Sequence, residues 1–156
     1  MRTSFLLLAG AWLCLAARQA ALAEPTYAER LGWPAGSKVV IFHVDDAGMS
    51  HDSNLGAIEA MEKGVATSAS IMFPCPWVSE IARYAKERPA RDFGVHVTLN
   101  AEWKDDRWGP VAGKKQVPGL VDHEGCLWQG IPQVLLSASA DEVETEIRAQ
   151  LDRCRT

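Results

Sequence analysis

The chain has 156 residues, of which 47% are hydrophobic and 23% are charged, and its formal net charge is −4. These values are typical of a globular domain and exclude the disordered, collagen-like and coiled-coil classes. The acidic balance also argues against nucleic acid as a partner, because binding to phosphates favours a basic surface.

The N-terminal segment predicts export. Arg2 precedes an apolar run from Phe5 to Leu15, and small residues then lead to Ala21-Leu22-Ala23. This order is typical of a secretory signal peptide over residues 1–23, and the run is too short to span a membrane. We therefore expect a periplasmic or secreted protein without stable membrane insertion, with an uncleaved N-terminal anchor as the alternative. Cleavage removes two arginines and no acidic residue, so the net charge becomes −6.

The remaining chain predicts one domain. Residues 24–37 form a polar N-terminal segment, and the domain follows over residues 38–156. Three cysteines remain, namely Cys75, Cys126 and Cys154, and their odd number leaves at least one without a disulfide partner among them. The sequence contains no C-x-x-C pair, so a zinc site built from thiolates is not expected.

Predicted strands and helices alternate along this domain. In chain order the predicted elements are a strand over Lys38–Val44, a polar loop over Asp45–His51, a helix that Asp52 caps and that ends at Lys63-Gly64 with Gly64 at the C′ position, a strand over Val65–Phe73, a helix over Trp77–Glu87 and a strand over Phe93–Leu99. The β-branched first run is typical of a strand buried on both faces. A helical crossover makes the first two strands parallel, so the alternation predicts an α/β fold.

The loop over residues 100–130 interrupts this alternation. It holds Trp103, Trp108 and Trp128 and shows no clean period. A loop of this length inside a compact domain is usually functional. An irregular cover whose tryptophans fill the core is the alternative, and the pattern favours neither interpretation.

The last predicted element is an amphipathic helix from Ser139 to Cys154. Ser139 and Glu142 fit a capping box, and apolar residues recur at helical spacing from Val143 to Leu151. A helix that ends a strand–helix unit normally leads into another strand, whereas this sequence ends at Thr156. The pattern is consistent with a truncated chain, although natural C-terminal helices also end in this way.

Candidate catalytic residues lie at the carboxyl ends of the predicted strands. Asp45 and Asp46 directly follow the first strand, and such adjacent carboxylates each require a partner or water. Active sites of α/β folds lie at this end of the sheet. His96 lies near the same end of the third strand, and imidazole with carboxylate suits a divalent metal such as Zn²⁺ or Mg²⁺. An aspartate that only caps a turn and a hydrogen-bonded core histidine are the alternatives.

Four motifs follow one another in a defined order. They are His43-Val-Asp-Asp-Ala-Gly-Met-Ser50, Asn54-Leu-Gly-Ala-Ile58, Gly64-Val-Ala-Thr-Ser-Ala-Ser-Ile-Met72 and Phe93-Gly-Val-His-Val-Thr-Leu99. In this order they resemble the YdjC-like carbohydrate deacetylases, which include chitooligosaccharide and hopanoid-biosynthesis deacetylases. The loop segments Arg107–Pro110 and Val117–Gly125 are similar to that family as well, so the resemblance extends from about residue 38 to the C-terminus.

The resemblance implies a distorted (β/α) barrel of the polysaccharide-deacetylase type that removes N-acetyl groups from a carbohydrate with the help of Mg²⁺ or Zn²⁺. By position, Asp45 is the general base, and Asp46 and His96 bind the metal. The metal would polarise the amide carbonyl, and the base would accept a proton from the attacking water. Trp103 and Trp108 are the candidate sugar-binding residues.

This chain departs from the family at several positions. His43 replaces an asparagine found in many members, and Ala47 replaces a phenylalanine. His43 and Asp45 point to the same side of a regular strand, so His43 has three open roles: it orients the base, binds metal or fills the barrel interior. His51 and His123 lie in polar loops, where we expect them to be solvated.

The family's third metal-binding histidine and its acid histidine come from sequence beyond this chain. A complete (β/α) barrel requires about 250 residues. We therefore expect residues 38–156 to be the N-terminal part of a deacetylase domain. The alternatives are a non-catalytic exported carbohydrate-binding protein and a degenerate fragment without activity. An open sheet with an unpaired edge would also favour association into a homo-oligomer.

Overall fold

The computed structural model describes residues 24–156. Contacts within the chain divide it into one unit that ends at Val40 and a second unit over Ile41–Thr156. In the first unit, helix α1 spans Tyr27–Arg30, and the side chain of Thr26 caps it in a capping box with Glu29. The predicted signal peptide lies outside the described residues.

The second unit contains a parallel sheet of three strands in the order β1-β2-β3. Its strands and their connecting helices are β1 (His43–Ala47), α2 (His51–Glu62), β2 (Ser68–Ile71), α3 (Val78–Glu87) and β3 (Asp92–Val95). Both neighbouring pairs of strands are parallel, as the crossover lengths predict. The α/β class is therefore confirmed, while the three strands of the described sheet do not make a closed barrel.

The first strand lies further along the chain than predicted. β1 begins at His43, opposite Ser68, and contains both aspartates, whereas the predicted strand covered Lys38–Val44. Ile41 and Phe42 are exposed, so the expectation of a run buried on both faces is wrong. The reason is the position of β1 at the edge of the described sheet, where its ladder starts only at the first residue of β2.

The other two strands end earlier than predicted. β2 stops at Ile71, and β3 stops at Val95, so His96 follows its strand instead of lying within it. The backbone N–H of His96 nevertheless donates to the carbonyl oxygen of Ile71 at 2.9 Å. This bond extends the pairing of β2 and β3 by one residue beyond the regular ladder. His96 therefore stays at the carboxyl end of β3.

Side-chain caps set the start of the two longest helices. Ser50, and not the predicted Asp52, is the N-cap of α2, because its side chain accepts from the backbone N–H of Ser53. Helix α5 (Ala140–Arg155) starts after Ser139, whose capping box with Glu142 is confirmed. Within residues 24–156, no helix combines the length and apolar character needed to cross a bilayer.

The loop over residues 100–130 forms a folded cover with a core of its own. It contains a short 3₁₀ helix at Pro118–Leu120 and an antiparallel bridge between Val121 and Leu127. A short helix that the sequence did not predict, α4 (Ile131–Ser137), connects this cover to α5.

Two of the three loop tryptophans belong to that core. Trp108 is 4% exposed, and its indole N–H donates to the carbonyl oxygen of Asn100 at 3.2 Å. Trp128 packs against the same cluster, and its indole N–H donates to the carbonyl oxygen of Gly119 at 2.8 Å. The interpretation in which tryptophans fill the core therefore describes both residues.

The buried face of α5 is polar. The apolar pattern predicts burial of Val143, Ile147 and Leu151, yet the fully buried side chains are those of Glu146 and Gln150. Their neighbours explain the difference, because backbone N–H and C=O groups of the segment after β3 face this side of the helix. Such groups require polar partners when they are buried.

Glu146 and Gln150, with the backbone of Thr98, Val111 and Ala112, form what we call the buried clamp. The carboxylate of Glu146 accepts from the backbone N–H groups of Val111 and Ala112, each at 2.9 Å. The amide of Gln150 accepts from the N–H of Thr98 at 3.0 Å and donates to its carbonyl oxygen at 2.7 Å. A further bond of 2.8 Å joins Gln150 to Glu146, so the clamp is a continuous network.

Candidate functional site

The structure brings together the two predicted metal ligands at the carboxyl end of the sheet. An Asp46 carboxylate oxygen lies 3.3 Å from Nδ1 of His96, although the two residues are 50 positions apart. Their side chains are 36% and 34% exposed, respectively. The pair is therefore accessible from solvent and spans the end of β2. We call Asp45, Asp46 and His96 the site group.

A bulge in β1 changes the directions in which the side chains of Asp45 and Asp46 point. Val44 pairs with Ala69 and Ala47 pairs with Ile71, so β1 has one residue more than β2 between these pairs. Asp46 lies in this interval with a φ of +57°, in the left-handed region that residues other than glycine rarely adopt. On a regular strand, adjacent side chains point to opposite faces, and a bulge changes that direction. The strained residue is the one that reaches His96.

Asp45 lies on the strand next to this pair and is the more exposed aspartate, at 69% of its side-chain surface. Its Oδ1 accepts from the hydroxyl of Ser70 at 3.2 Å and lies 3.5 Å from Nε2 of His43. Nδ1 of His43 is hydrogen-bonded to the hydroxyl of Ser68 at 2.7 Å. Of the three open roles of His43, this geometry favours the orientation of Asp45.

The ring of His96 has two exclusive arrangements with Asp46. Nδ1 lies 3.4 Å from the backbone N–H of Asp46, from which it accepts when it is unprotonated. When Nδ1 is protonated, it donates instead to the carboxylate of Asp46. The hydroxyl of Thr98 donates to the carbonyl oxygen of His96 at 2.8 Å. Because Thr98 also belongs to the buried clamp, α5 supports the backbone that carries His96.

The donor types at this site match two positions of a divalent metal site. A carboxylate oxygen and an imidazole nitrogen are both ligands of Zn²⁺, and carboxylate also suits Mg²⁺. Throughout residues 24–156, no cluster of three or more His, Cys, Asp or Glu side chains is placed to hold a metal ion. Asp46 and His96 could therefore supply part of a coordination shell.

The predicted sugar-binding tryptophans have different environments. Trp103 is 43% exposed and keeps a free surface, whereas Trp108 is enclosed in the loop core. The burial of Trp108 leaves no ring face for a sugar, because its surface is already packed and its N–H is bonded. Of the two, Trp103 alone keeps an exposed side-chain surface.

The other histidines also differ from each other. His123 is exposed, as expected for a polar loop. His51 is half-exposed, and its Nδ1 lies 2.9 Å from the carboxylate of Glu80. Hydrogen bonds from Asn54 and then from His51 hold the pKa of Glu80 below its usual range. The His51–Glu80 pair is thus favoured whenever the histidine is protonated.

Sequence reasoning did not identify Asn54 as a supporting residue of the site. Asn54 is fully buried, and its side-chain oxygen accepts from the N–H of Gly48 at 2.7 Å. Its amide donates to the carbonyl oxygen of Trp77 at 3.1 Å and to Glu80 at 2.7 Å. These bonds tie the turn after Asp46 to α2 and α3. The available signal was the position of Asn54 at the start of the second family motif.

A buried thiol, that of Cys75, lies in the segment between β2 and α3. Burial, reinforced by the negative charges of Asp46 and Asp106, raises the pKa of Cys75 to about 12. Cys75 therefore stays a neutral thiol near neutral pH and is a poor metal ligand. Cys75, Cys126 and Cys154 form no disulfide with one another.

A comparison with models of protein families shows which family this chain belongs to. The model of the family described as YdjC-like protein matches residues 39–156. The chain belongs to the YdjC-like family. This membership confirms the resemblance that the four ordered motifs carry.

Curated relatives of this YdjC-like chain have one name in common, carbohydrate deacetylase. The relative from Brevibacillus brevis is 38% identical over 73% of this chain and 42% of its own length. The relative from Thermus thermophilus is 35% identical over 79% of this chain and 41% of its own length. The relative from Thermoanaerobacter pseudethanolicus is 31% identical over 74% of this chain and 44% of its own length. The matched region thus spans less than half of each relative.

A solved structure shares the fold of this region. A protein from Enterococcus faecalis V583, described as a cellobiose-phosphate cleavage protein, superposes with a TM-score of 0.63 and 29% identity. The match covers 72% of this chain and 42% of that protein. The similarity supports the α/β arrangement described above.

Proposed function

We propose that this YdjC-like protein is a carbohydrate deacetylase that hydrolyses the N-acetyl group of an amino sugar with the help of a divalent metal. The observation that carries the proposal is the approach of Asp46 to His96 at 3.3 Å, with Asp45 as the adjacent residue. The shared name of the curated relatives supports the reaction class. Because the match spans less than half of each relative, the proposal concerns the activity of the whole protein.

Each residue of the site group has a separate role in this proposal. Asp46 and His96 would hold the metal, which when bound supplies the Lewis acidity that an unreactive amide requires. Asp45 is the general base that accepts the proton of the attacking water. The exposure of Asp45 supports this role, because water can reach its carboxylate. His43 and Ser70 orient that carboxylate through contacts to Oδ1.

The same proposal places the protein outside the cytoplasm, on the basis of the predicted signal peptide over residues 1–23. Export would bring the protein into contact with polymeric or oligomeric sugars outside the cytoplasm. N-terminal sequencing of the exported protein tests this part, and we expect the mature chain to start at Glu24. A chain recovered with Met1 still attached would contradict cleavage at this point.

Acetate release from an N-acetylated chitooligosaccharide tests the reaction and the role of Asp45. In the full-length protein, Asp45→Asn keeps the shape of the side chain but removes its basicity. We expect turnover to fall by about 10² to 10⁴, the usual effect of losing a general base. Asp92→Asn is the matched control, because Asp92 is an exposed carboxylate at the opposite end of β3.

A second variant distinguishes the role of Asp46 from that of Asp45. Asp46→Asn should weaken the binding of Zn²⁺ in a calorimetric titration, whereas Asp45→Asn should leave it unchanged. If Asp45→Asn lost the metal and Asp46→Asn kept it, the two roles would be the reverse of those proposed. An Asp45→Asn protein with unchanged turnover would contradict general-base catalysis by this residue.

A further inference from the structure

An exposed aromatic pair lies where the segments after β1 and β2 lead into α2 and α3. Trp77, at the N-cap of α3, is 45% exposed. Its indole ring lies 5.2 Å from the imidazole ring of His51, measured between ring centroids, at an interplanar angle of 41°. Half-exposed tryptophan offers a large apolar surface to a ligand, and the polar groups around it supply hydrogen bonds.

The backbone of this pair is bonded to the turn that follows the aspartates. The N–H of Trp77 donates to the carbonyl oxygen of Gly48 at 3.1 Å, and Gly48 is two residues after Asp46. The carbonyl oxygen of Trp77 accepts from the side chain of Asn54, which also binds the N–H of Gly48. Trp77 is therefore attached to the same end of the sheet as the site group, through both of its backbone polar groups.

The pair is also held in place before any ligand binds. Nδ1 of His51 contacts both carboxylate oxygens of Glu80, at 2.9 and 3.2 Å. Glu80 is itself fixed by the amide of Asn54. Ordering costs reduce affinity, so an aromatic surface that is already fixed binds more tightly than a mobile one.

We propose that Trp77 and His51 form a sugar-stacking subsite next to the site group. Its ligand is a second pyranose ring of the oligosaccharide whose N-acetyl group is hydrolysed. One face of a pyranose ring carries C–H groups that pack on the indole, and the ring hydroxyls can donate to the partly exposed carboxylate of Glu80. The subsite rests on the proposed deacetylase function and says where a second ring of the substrate is held, so it strengthens the binding of an oligosaccharide and leaves that of a monosaccharide unchanged.

The test varies two things independently, namely the length of the sugar and the presence of the indole at position 77. The probes are N-acetylglucosamine and N,N′,N″,N‴-tetraacetylchitotetraose, each assayed for acetate release by the full-length protein. For the tetramer, Trp77→Ala should raise KM about tenfold and leave kcat unchanged, which is the effect of one lost aromatic contact. For the monomer, KM should not change, because a single ring occupies the site group alone.

Three variants serve as controls. Trp77→Phe keeps an aromatic face and should restore most of the affinity, which also protects the test against misfolding of Trp77→Ala. His51→Ala should raise KM for the tetramer by a smaller factor. Trp33→Ala removes another exposed tryptophan, 53% exposed and part of the first unit, and should change neither KM nor kcat.

A binding measurement on an inactive variant tests the subsite independently of the hydrolysis reaction. In the Asp45→Asn background, calorimetry should show tetramer binding that weakens about tenfold when Trp77→Ala is added. Equal KM for the tetramer with and without Trp77, equal losses for both probes, or no tetramer binding would each overturn the subsite. If the tetramer binds through Trp77 but no sugar is ever deacetylated, the proposed function fails and the subsite stands.

Discussion

The second unit contains two groups of polar side chains in very different environments. The side chains of the site group range from 34% exposed at His96 to 69% exposed at Asp45, and their nearest side-chain contacts measure 3.2 to 3.5 Å. Glu146 and Gln150 of the buried clamp are fully buried, and their hydrogen bonds measure 2.7 to 3.0 Å.

The difference separates residues that maintain the fold from residues that are free to bind. Each clamp carboxylate or amide is bonded to backbone groups that would otherwise be buried without a partner, so its loss affects stability. The site group keeps lone pairs that face solvent, so its loss should affect ligands and hardly affect stability. Thr98 connects the two regions, since it is bonded to Gln150 and to the carbonyl oxygen of His96.

Removal of the clamp carboxylate should have the largest effect on stability. Glu146→Ala leaves the N–H groups of Val111 and Ala112 without acceptors, and we expect the free energy of unfolding to fall by about 2–4 kcal/mol. Urea unfolding followed by circular dichroism measures the change. Glu144→Ala is the control, because Glu144 is exposed on the same helix in an ion pair with Arg148 and should cost less than about 0.5 kcal/mol. Equal effects of the two variants would show that the clamp does not stabilise the fold.

A pH titration extends the comparison to an ion pair of the loop cover, in which Nη2 of Arg107 lies 2.6 Å from a carboxylate oxygen of the partly buried Asp122. Burial alone would raise the pKa of Asp122, but hydrogen bonds from Arg107 and from two backbone N–H groups hold it below its usual range. A lowered pKa in the folded state adds stability that is present above the unfolded-state value and is lost as the pH falls through the folded-state value.

Asp122→Asn should therefore be less stable than the wild type at pH 7, by about 2 kcal/mol. Thermal melts at pH 7 and at about pH 3 measure this difference, which should shrink at the lower pH as Asp122 of the wild type becomes protonated. A difference in melting temperature that stays constant with pH would contradict a charge-dependent contribution from Asp122.

The smallest predicted effect concerns the strained backbone of the site group. Because Asp46 has a φ of +57°, glycine is the residue that this position tolerates best. We expect Asp46→Gly to be about 1 kcal/mol more stable than Asp46→Ala in urea unfolding. The order should reverse at Asp52, which lies in the first turn of α2, because alanine favours a helix over glycine by a similar amount. An alanine variant at Asp46 as stable as the glycine variant would show that the backbone is not strained.

Features set by local chemistry were predictable from the sequence. The start of α5 follows from Ser139 and Glu142, three residues apart, because a capping box needs nothing outside its own turn. The approach of Asp46 to His96 is not local, since 50 residues separate them, but unlike the other distant contacts it was predictable, because the carboxyl ends of parallel strands meet at one edge of the sheet.

Features set by distant partners were not predictable in this way. The limits of β1 depend on where β2 starts, and the burial of Glu146 depends on backbone groups more than 30 residues away. Trp108 and Trp77 show the same limit, since the sequence places Trp108 in an irregular loop and Trp77 at the start of a predicted helix, and neither position fixes how much of the ring is exposed. Only the packing shows that Trp108 is enclosed and that Trp77 is partly exposed.

The measurement that tests the account most directly is made on one preparation of full-length Asp45→Asn protein. Its turnover on an N-acetylated chitooligosaccharide and its free energy of unfolding are compared with those of the wild type. The account predicts that turnover falls by about 10² to 10⁴, whereas the free energy of unfolding changes by less than about 0.5 kcal/mol. Unchanged turnover, or a loss of stability as large as that of Glu146→Ala, would contradict the assignment of Asp45 to function rather than to the fold.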